Sequence, residues 1–305
     1  DRMARFERKS LIKEMATSRY FHFVRLARLD KPVGSYLLLW PTLSALWLAS
    51  RGWPGWHLFL VFTLGTLLTR SAGCVVNDIA DRKFDGLVKR TMDRPIPSGD
   101  IKVSEALIFM SLMCLLALLL VVTTNLNTVL LAFMGATIAG IYPYMKRYTY
   151  MPQIILGIAF SFGIPMAFTA VNNDVNKLTG LLFITNLIWI VSYDTEYAMV
   201  DRDDDLKIGL KSSAILFGDL DKFIIGILQL GFISSLLLVW KTANLHWPFL
   251  IGILIAVMIL SYQQILIKER RRDRCLKAFL INHWLGLILF LSIVLDLFFY
   301  TEGVT

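Results

Sequence analysis

The sequence predicts an all-α membrane protein of about nine transmembrane helices in one bundle. Three observations predict it. Of the 305 residues, 56% are hydrophobic, against roughly 45 to 50% in soluble proteins, and the mean hydropathy is +0.61. These residues gather into nine long runs, each near the roughly 20 residues that cross a bilayer as a helix. Cys74, Cys114 and Cys275 show no metal-ligand spacing, and three cysteines cannot build a disulfide scaffold.

The chain reads as an N-terminal amphipathic cytoplasmic segment, 1–31, followed by a transmembrane domain, 32–305. Residues 1–31 set Phe6, Leu11, Ile12, Met15, Phe21, Phe23 and Leu26 among Lys and Arg residues. They lack the uncharged apolar core of a signal peptide and suit a helix lying on anionic lipid. Spans follow at 33–49, 57–76, 105–124, 128–145, 152–171, 178–200, 223–240, 247–267 and 278–300. Every Lys and Arg except Arg51, Arg70, Lys177 and Lys241 falls on one side of these spans. That side is expected to be cytoplasmic, so the net charge of +8 serves topology and does not call for nucleic acid as a partner. On the opposite side, Trp47, Trp53, Trp56, Trp240 and Trp247 mark the other interface. The connection 77–104 is long for a bundle, and Pro95, Pro97 and Gly99 shape a turn in it. It is a candidate lid.

Two acidic stripes end on the basic side. Asn77, Asp81 and Asp85, with Asp78 beside them, fall within about 100° of one another on a helix. Asp194, Asp201 and Asp205 form a second stripe, from which Glu196, Asp203 and Asp204 point away. The stripes are 120 residues apart, from Asp81 to Asp201, an interval of four crossings, so they can face one another. Carboxylates about 6 Å apart repel by roughly 3 kcal/mol per pair at an effective dielectric near 20. A cation must offset that repulsion, and oxygen ligands without His or Cys suit Mg²⁺. A solvated acidic helix end accounts well for one such cluster and poorly for two that face each other.

Cations suited to phosphate surround the acids: Lys89, Arg90 and Arg94, then Lys146 and Arg147, then Lys207 and Lys211. Some of them serve topology alone. Arg70 is different, because an intramembrane arginine requires a buried anion or a functional partner, and it lies one heptad before Asn77. Asp296 lies near the far end of its span, where exposure to the interface accounts for it. Gly135, Gly140, Gly157 and Gly163 allow close helix contact or room for a chain. No Walker loop, dinucleotide turn, nucleophile elbow or His-Glu-x-x-His helix is present. His22, His57, His246 and His283 are scattered. Acids and cations above apolar helices suit a lipid with a diphosphate head group.

Asn77-Asp78-x-x-Asp81-x-x-x-Asp85, Arg94-Pro95-Ile96-Pro97-Ser98-Gly99 and Asp201-x-x-x-Asp205 resemble the motifs of the intramembrane aromatic prenyltransferases. The bacterial branch that acts on 4-hydroxybenzoate is the closer match. That likeness extends through Leu29–Gly34, Tyr142–Thr149 and Asp194–Asp205. The resemblance implies helices around a central cavity in the bacterial inner membrane. It implies two Mg²⁺ ions and transfer of a polyprenyl group from its diphosphate to the ring carbon ortho to the hydroxyl of 4-hydroxybenzoate, a step of ubiquinone biosynthesis, with membrane lipid around the bundle. By position, Asn77, Asp81 and Asp85 would hold one ion with Asp78 alongside, and Asp201 and Asp205 the other with Asp194 nearby. Asp81, Asp85, Asp201 and Asp205 would be catalytic. Lys89, Arg94, Lys146 and Lys211 are the diphosphate candidates. Arg147 or Arg82 is the preferred partner of the aromatic carboxylate, with Arg70 a further candidate, and each is equally explained as a partner of the aspartates.

Homogentisate and a dihydroxynaphthoate are alternative acceptors. A cation-coupled transporter is the alternative from another class, although transporter sites lie near the midplane on broken helices. The CDP-alcohol phosphatidyltransferase pattern fails after Asp85-Gly86, because Leu87-Val88-Lys89-Arg90 does not supply its Ala-Arg pair.

Overall fold

The computed structural model describes residues 19–87 and 91–301, and these are helical with no strand among them. In chain order the helices are α1 (Arg19–Leu26), α2 (Val33–Ser50), α3 (Trp56–Asp85), α4 (Val103–Val121), α5 (Leu126–Met145), α6 (Pro152–Ser161), α7 (Gly163–Asn172), α8 (Lys177–Ile208), α9 (Ser213–Phe217), α10 (Asp221–Thr242), α11 (Trp247–Ile267) and α12 (Arg272–Thr301). By length and composition, nine helical segments among the described residues can cross a membrane, with α6–α7 forming one and α9–α10 another. The molecule is a multi-pass membrane protein.

Polar residues start and stop the helices where the apolar runs require. Asn125 and Asn176 accept the free amides of Thr128 and Thr179 and open α5 and α8. Gly209 takes a left-handed conformation, φ +75°, and closes α8. The run expected at 152–171 is divided near Phe162. Gly163 there meets Thr42 of α2 so closely that an added Cβ would stand 2.4 Å from its Oγ1.

The core is apolar and continuous, with Leu46 of α2, Ile190 of α8, Val239 of α10, Phe249 of α11 and Leu285 of α12 all essentially excluded from solvent. A small cavity of about 60 Å³ lies inside it, between Pro41, Asn186, Trp189, Phe232 and Gly286. A larger apolar cavity, about 470 Å³, lies between α3 and α4. Three of the four glycines named above serve packing, since a Cβ at Gly135 would meet Phe162 at 2.9 Å and one at Gly157 would meet Leu187 at 2.4 Å. Gly163 behaves likewise against Thr42, whereas Gly140 faces open space.

Two expectations are corrected. Asp296 is buried, 1% exposed, because its carboxylate accepts from the backbone N–H of His246 at 2.7 Å and of Phe249 at 3.3 Å and so caps α11. Trp47 is a core residue packed edge-on against Phe290, while Trp53, Trp56 and Trp247 are exposed. The described part of the N-terminal segment docks onto the bundle: Leu26 is buried with Val75, Ile96, Ile101 and Ala106, and Phe23 packs on Phe109. Residues 1–18 lie outside the described residues.

Candidate active site

The two acidic stripes are carried by helices that outrun their apolar spans. α3 continues to Asp85 and α8 to Ile208, so Asn77, Asp78, Asp81 and Asp85 stay in helical register, as do Asp194, Asp201 and Asp205. The connection after α3 is correspondingly shorter than the 28 residues read from hydropathy and runs over 86–102. Its turn is pinned by Gly99, φ +84°, whose N–H donates to Ile96 O at 3.1 Å, and by Ile101 N–H, which donates to Pro95 O at 3.0 Å. Ile96 and Ile101 bury against α3.

The first stripe is sunk below the surface. Asp78, Asp81 and Asp85 are 0%, 1% and 5% exposed, which carboxylates tolerate only when paired. Arg94 Nη1 donates to Asp78 Oδ1 at 3.0 Å and to Asp85 Oδ2 at 2.7 Å. Arg28 Nη2 donates to both Asp78 oxygens, at 2.8 and 3.0 Å. Lys146 Nζ pairs with Asp81 Oδ2, and the other oxygen, Oδ1, is buried with no hydrogen-bond partner. Among the described residues no three His, Cys, Asp or Glu side chains are drawn tightly enough to close on a metal; Arg94 and Lys146 stand among the carboxylates.

The second stripe is reached through the hairpin between them: α3 packs on α5, α5 on α6, and α6 on α8. Lys146 ends α5, and its carbonyl accepts from Lys211 N–H at 2.9 Å, which joins the Asp81 partner to the loop after α8. Lys211 Nζ donates to Tyr148 O at 3.3 Å. Gln153, at the start of α6, accepts from Ser213 N–H and stands beside Asp194. Asp201 and Asp205 are half-buried. Asp203 and Asp204 turn to Arg272, and buried Glu196 accepts from Asn282 at 3.3 Å, so these three do leave the stripe.

Of the three arginines considered for a carboxylate, Arg82 is exposed and donates to Ile79 O at 2.7 Å. Arg147 donates to Ala80 O at 2.7 Å and lies over the rings of Phe84 and Tyr144. Arg70 is inside, over the Phe160 ring. It interacts electrostatically with Asp194, Tyr142 and Tyr193, and its Nε is buried without a partner. Asp194, buried on α8, lies within electrostatic reach of Arg70. Sequence reasoning missed Arg28, which it counted among the basic N-terminal residues, and Gln153. It noted Gly34 only as part of a motif, although an added Cβ there would stand 2.5 Å from Arg70 Nη2. Lys89 lies outside the described residues.

Residues 38–293 match the UbiA prenyltransferase family. The chain belongs to that family. It is accordingly an enzyme, a prenyltransferase. This UbiA family member is 52% identical over 274 residues to a 4-hydroxybenzoate octaprenyltransferase of Enterobacter sp. (strain 638), covering 90% of this chain and 95% of the relative. The same name and identity apply to a relative from Pseudoalteromonas translucida, over 273 residues, 90% of this chain and 94% of the relative. Its fold is that of a UbiA homologue from Aeropyrum pernix K1 solved in the apo state, with a TM-score of 0.76 and 21% identity over 86% of this chain and 97% of the other. A UbiA homologue from Archaeoglobus fulgidus, solved bound to GPP and Mg²⁺, aligns with a TM-score of 0.69 and 16% identity over 90% and 99%.

Proposed function

We propose that this prenyltransferase moves a polyprenyl group from its diphosphate to the ring carbon ortho to the hydroxyl of 4-hydroxybenzoate, with Mg²⁺, at the cytoplasmic face of a bacterial inner membrane. The observation that carries the reading is the link that Lys146 makes between the two acidic helix ends: its side chain pairs with Asp81 while its carbonyl accepts from Lys211 in the loop after α8. The names of relatives 52% identical over nine tenths of the chain support the acceptor and a long isoprenoid donor. The one-sided distribution of Lys and Arg supports the cytoplasmic assignment.

The donor set suits a hard divalent ion, being all oxygen without thiolate or imidazole, and buried Asp81 Oδ1 is a carboxylate atom left without a partner. Asn77, Asp81 and Asp85 would hold one ion, and Asp201 and Asp205 the other with Asp194 nearby. Bound there, Mg²⁺ would offset the charge of the diphosphate and make it a better leaving group.

The allylic C–O bond breaks, and its electron pair leaves with the diphosphate. Arg94, Lys146 and Lys211, with Lys89, take up that negative charge; the first two already stand within the carboxylate cluster. Electrons of the ring carbon beside the phenol form the new C–C bond, and transfer of the ring proton to the departed diphosphate or to an aspartate of the site restores aromaticity. The apolar walls exclude water from the allylic cation. Arg70 is the best-supported partner for the acceptor's carboxylate, because it lies inside the bundle among Tyr142, Tyr193 and Phe160 with an unpartnered Nε.

The test is turnover in detergent. Purified protein, Mg²⁺, a polyprenyl diphosphate and an equimolar mixture of 4-hydroxybenzoate, homogentisate and dihydroxynaphthoate are incubated, and products are read by mass spectrometry. Prenylated 4-hydroxybenzoate is the expected product. Preferential prenylation of another acceptor, or no Mg²⁺-dependent product, would refute the reading.

A further inference from the structure

α1 and the turn that follows it touch three separate parts of the chain. Leu26, fully buried, packs with Val75 of α3, with Ala106 of α4, and with Ile96 and Ile101 of the connection between those helices. Arg25 Nη2 donates to Asp93 O at 2.5 Å, and His22 stands 3.4 Å from Asp100. Arg19 pairs with Glu105, and Phe23 packs on Phe109 with ring centroids 5.0 Å apart. The end of α1 is fastened to α3 itself, where Ser71 Oγ donates to Ala27 O at 3.3 Å and Arg28 Nη2 donates to Asp78.

Residues 91–102 contain no helix. Their backbone hydrogen bonds close turns within the segment, such as Ser98 N–H to Arg94 O at 3.0 Å, and side chains fix the segment to its neighbours. Towards α3, Thr91 Oγ1 donates to Asp85 O at 2.8 Å and Arg94 Nη1 donates to Asp85 Oδ2 at 2.7 Å. Asp85 is the last residue of a helix that has outrun its apolar span, yet it is 5% exposed, because this segment covers it. A cover built from turns opens easily unless buried apolar contacts hold it. Ile96 and Ile101 supply such contacts, and they share them with Leu26 of α1.

We propose that α1 is a strap: through Leu26 and Arg25 it holds residues 91–102 down on the acidic end of α3 and so keeps water from the allylic cation formed there. Leu26 and Arg25 touch no reacting atom and are positioning residues. An allylic cation reacts with whichever nucleophile reaches it first, so its fate reports how dry the site is. With the strap in place the aromatic ring is that nucleophile. With the strap loosened, a water oxygen forms the new bond to the allylic carbon, one water proton passes to the departed diphosphate or to bulk water, and the product is a polyprenol. The inference rests on the reading of the site as a prenyl diphosphate centre.

The test uses the full chain in nanodiscs with Mg²⁺, a polyprenyl diphosphate and 4-hydroxybenzoate in ¹⁸O-labelled water. Mass spectrometry reads the ratio of polyprenol carrying ¹⁸O to prenylated acid, and hydrogen exchange reads the protection of residues 91–102. Label on the alcohol marks attack at carbon, since hydrolysis at phosphorus leaves the original oxygen in place. Arg25→Met is expected to raise the ratio about tenfold, the scale of one charge-assisted hydrogen bond, with faster exchange in residues 91–102 and a melting temperature near wild type. Arg25→Lys, which keeps a donor for Asp93 O, is expected to return the ratio towards wild type. Leu26→Ala is expected to act in the same direction as Arg25→Met; if it does not fold, the Arg25 pair carries the test. An unchanged ratio in Arg25→Met, an equal loss of both products, or faster exchange without labelled polyprenol overturns the strap. A wild-type protein that forms no Mg²⁺-dependent product refutes the reading of the site itself.

Discussion

Gly34→Ala separates a positioning effect from a folding effect with one methyl group. The added Cβ would stand 2.5 Å from Arg70 Nη2, 2.9 Å from Nε and 3.1 Å from Cζ, whereas ordinary contact begins near 3.4 Å. The guanidinium must therefore withdraw by about 0.9 Å. It is the far end of a flexible side chain, so the bundle yields cheaply, and alanine suits α2 better than glycine. Function does not yield so easily, because a group misplaced by about 1 Å can lower a rate by about 100-fold. A hydrogen bond to a charged partner contributes about 1.5 to 3 kcal/mol, or roughly 10- to 100-fold in the constant that reports it. Initial rates measured against each substrate in turn should show the KM for 4-hydroxybenzoate raised about 10- to 100-fold, with the KM for the prenyl diphosphate and the melting temperature near wild type. A folded variant with an unchanged KM for the aromatic acid would remove Arg70 from the acceptor site.

Asp81→Ala should abolish prenyl transfer in membranes that contain normal amounts of inserted protein, measured by product formation beside an immunoblot; full activity would exclude Asp81 from the metal site. Chelation with EDTA should stop turnover, and added Mg²⁺ should restore it in the same sample. Gly157→Ala drives a Cβ to 2.4 Å from Leu187 Cδ1 and should destabilise by about 1 to 3 kcal/mol, while Gly140→Ala, which meets nothing within 4 Å, should leave the melting temperature unchanged or raise it slightly. Asp296→Ala strips the cap from α11 and should lower stability by about 1 to 2 kcal/mol, read as a lower melting temperature with unchanged kcat in the folded enzyme.

The sequence alone determined the bundle and the composition of its reactive end. Nine apolar runs of bilayer length leave few other folds, and the helical spacing of Asn77, Asp81 and Asp85 holds because α3 extends unbroken to Asp85. Hydropathy placed the end of the second span nine residues early, since it senses the loss of apolar residues and not the continuation of backbone hydrogen bonds. The separation of Glu196, Asp203 and Asp204 from the second stripe was legible for the same reason as the stripe itself: angular position on a helix is fixed by residue number.

Only the tertiary structure decided the partners. Arg28 and Arg94 meet on Asp78 although 66 residues separate them in number, and Asp194 on α8 comes within electrostatic reach of Arg70 on α3. In a bundle that is apolar almost all round, periodicity does not say which faces meet, so no sequence pattern separates the arginine that pairs with a buried carboxylate from one that sets topology. Asp296 shows the same limit. Its place near a span end suggested exposure, but the approach of α11 supplied unpaired amides that drew it inward. A polar group in a membrane protein is placed by where a partner can reach it, and that is a property of the packed helices, while the number and length of those helices follow from the thickness of the bilayer.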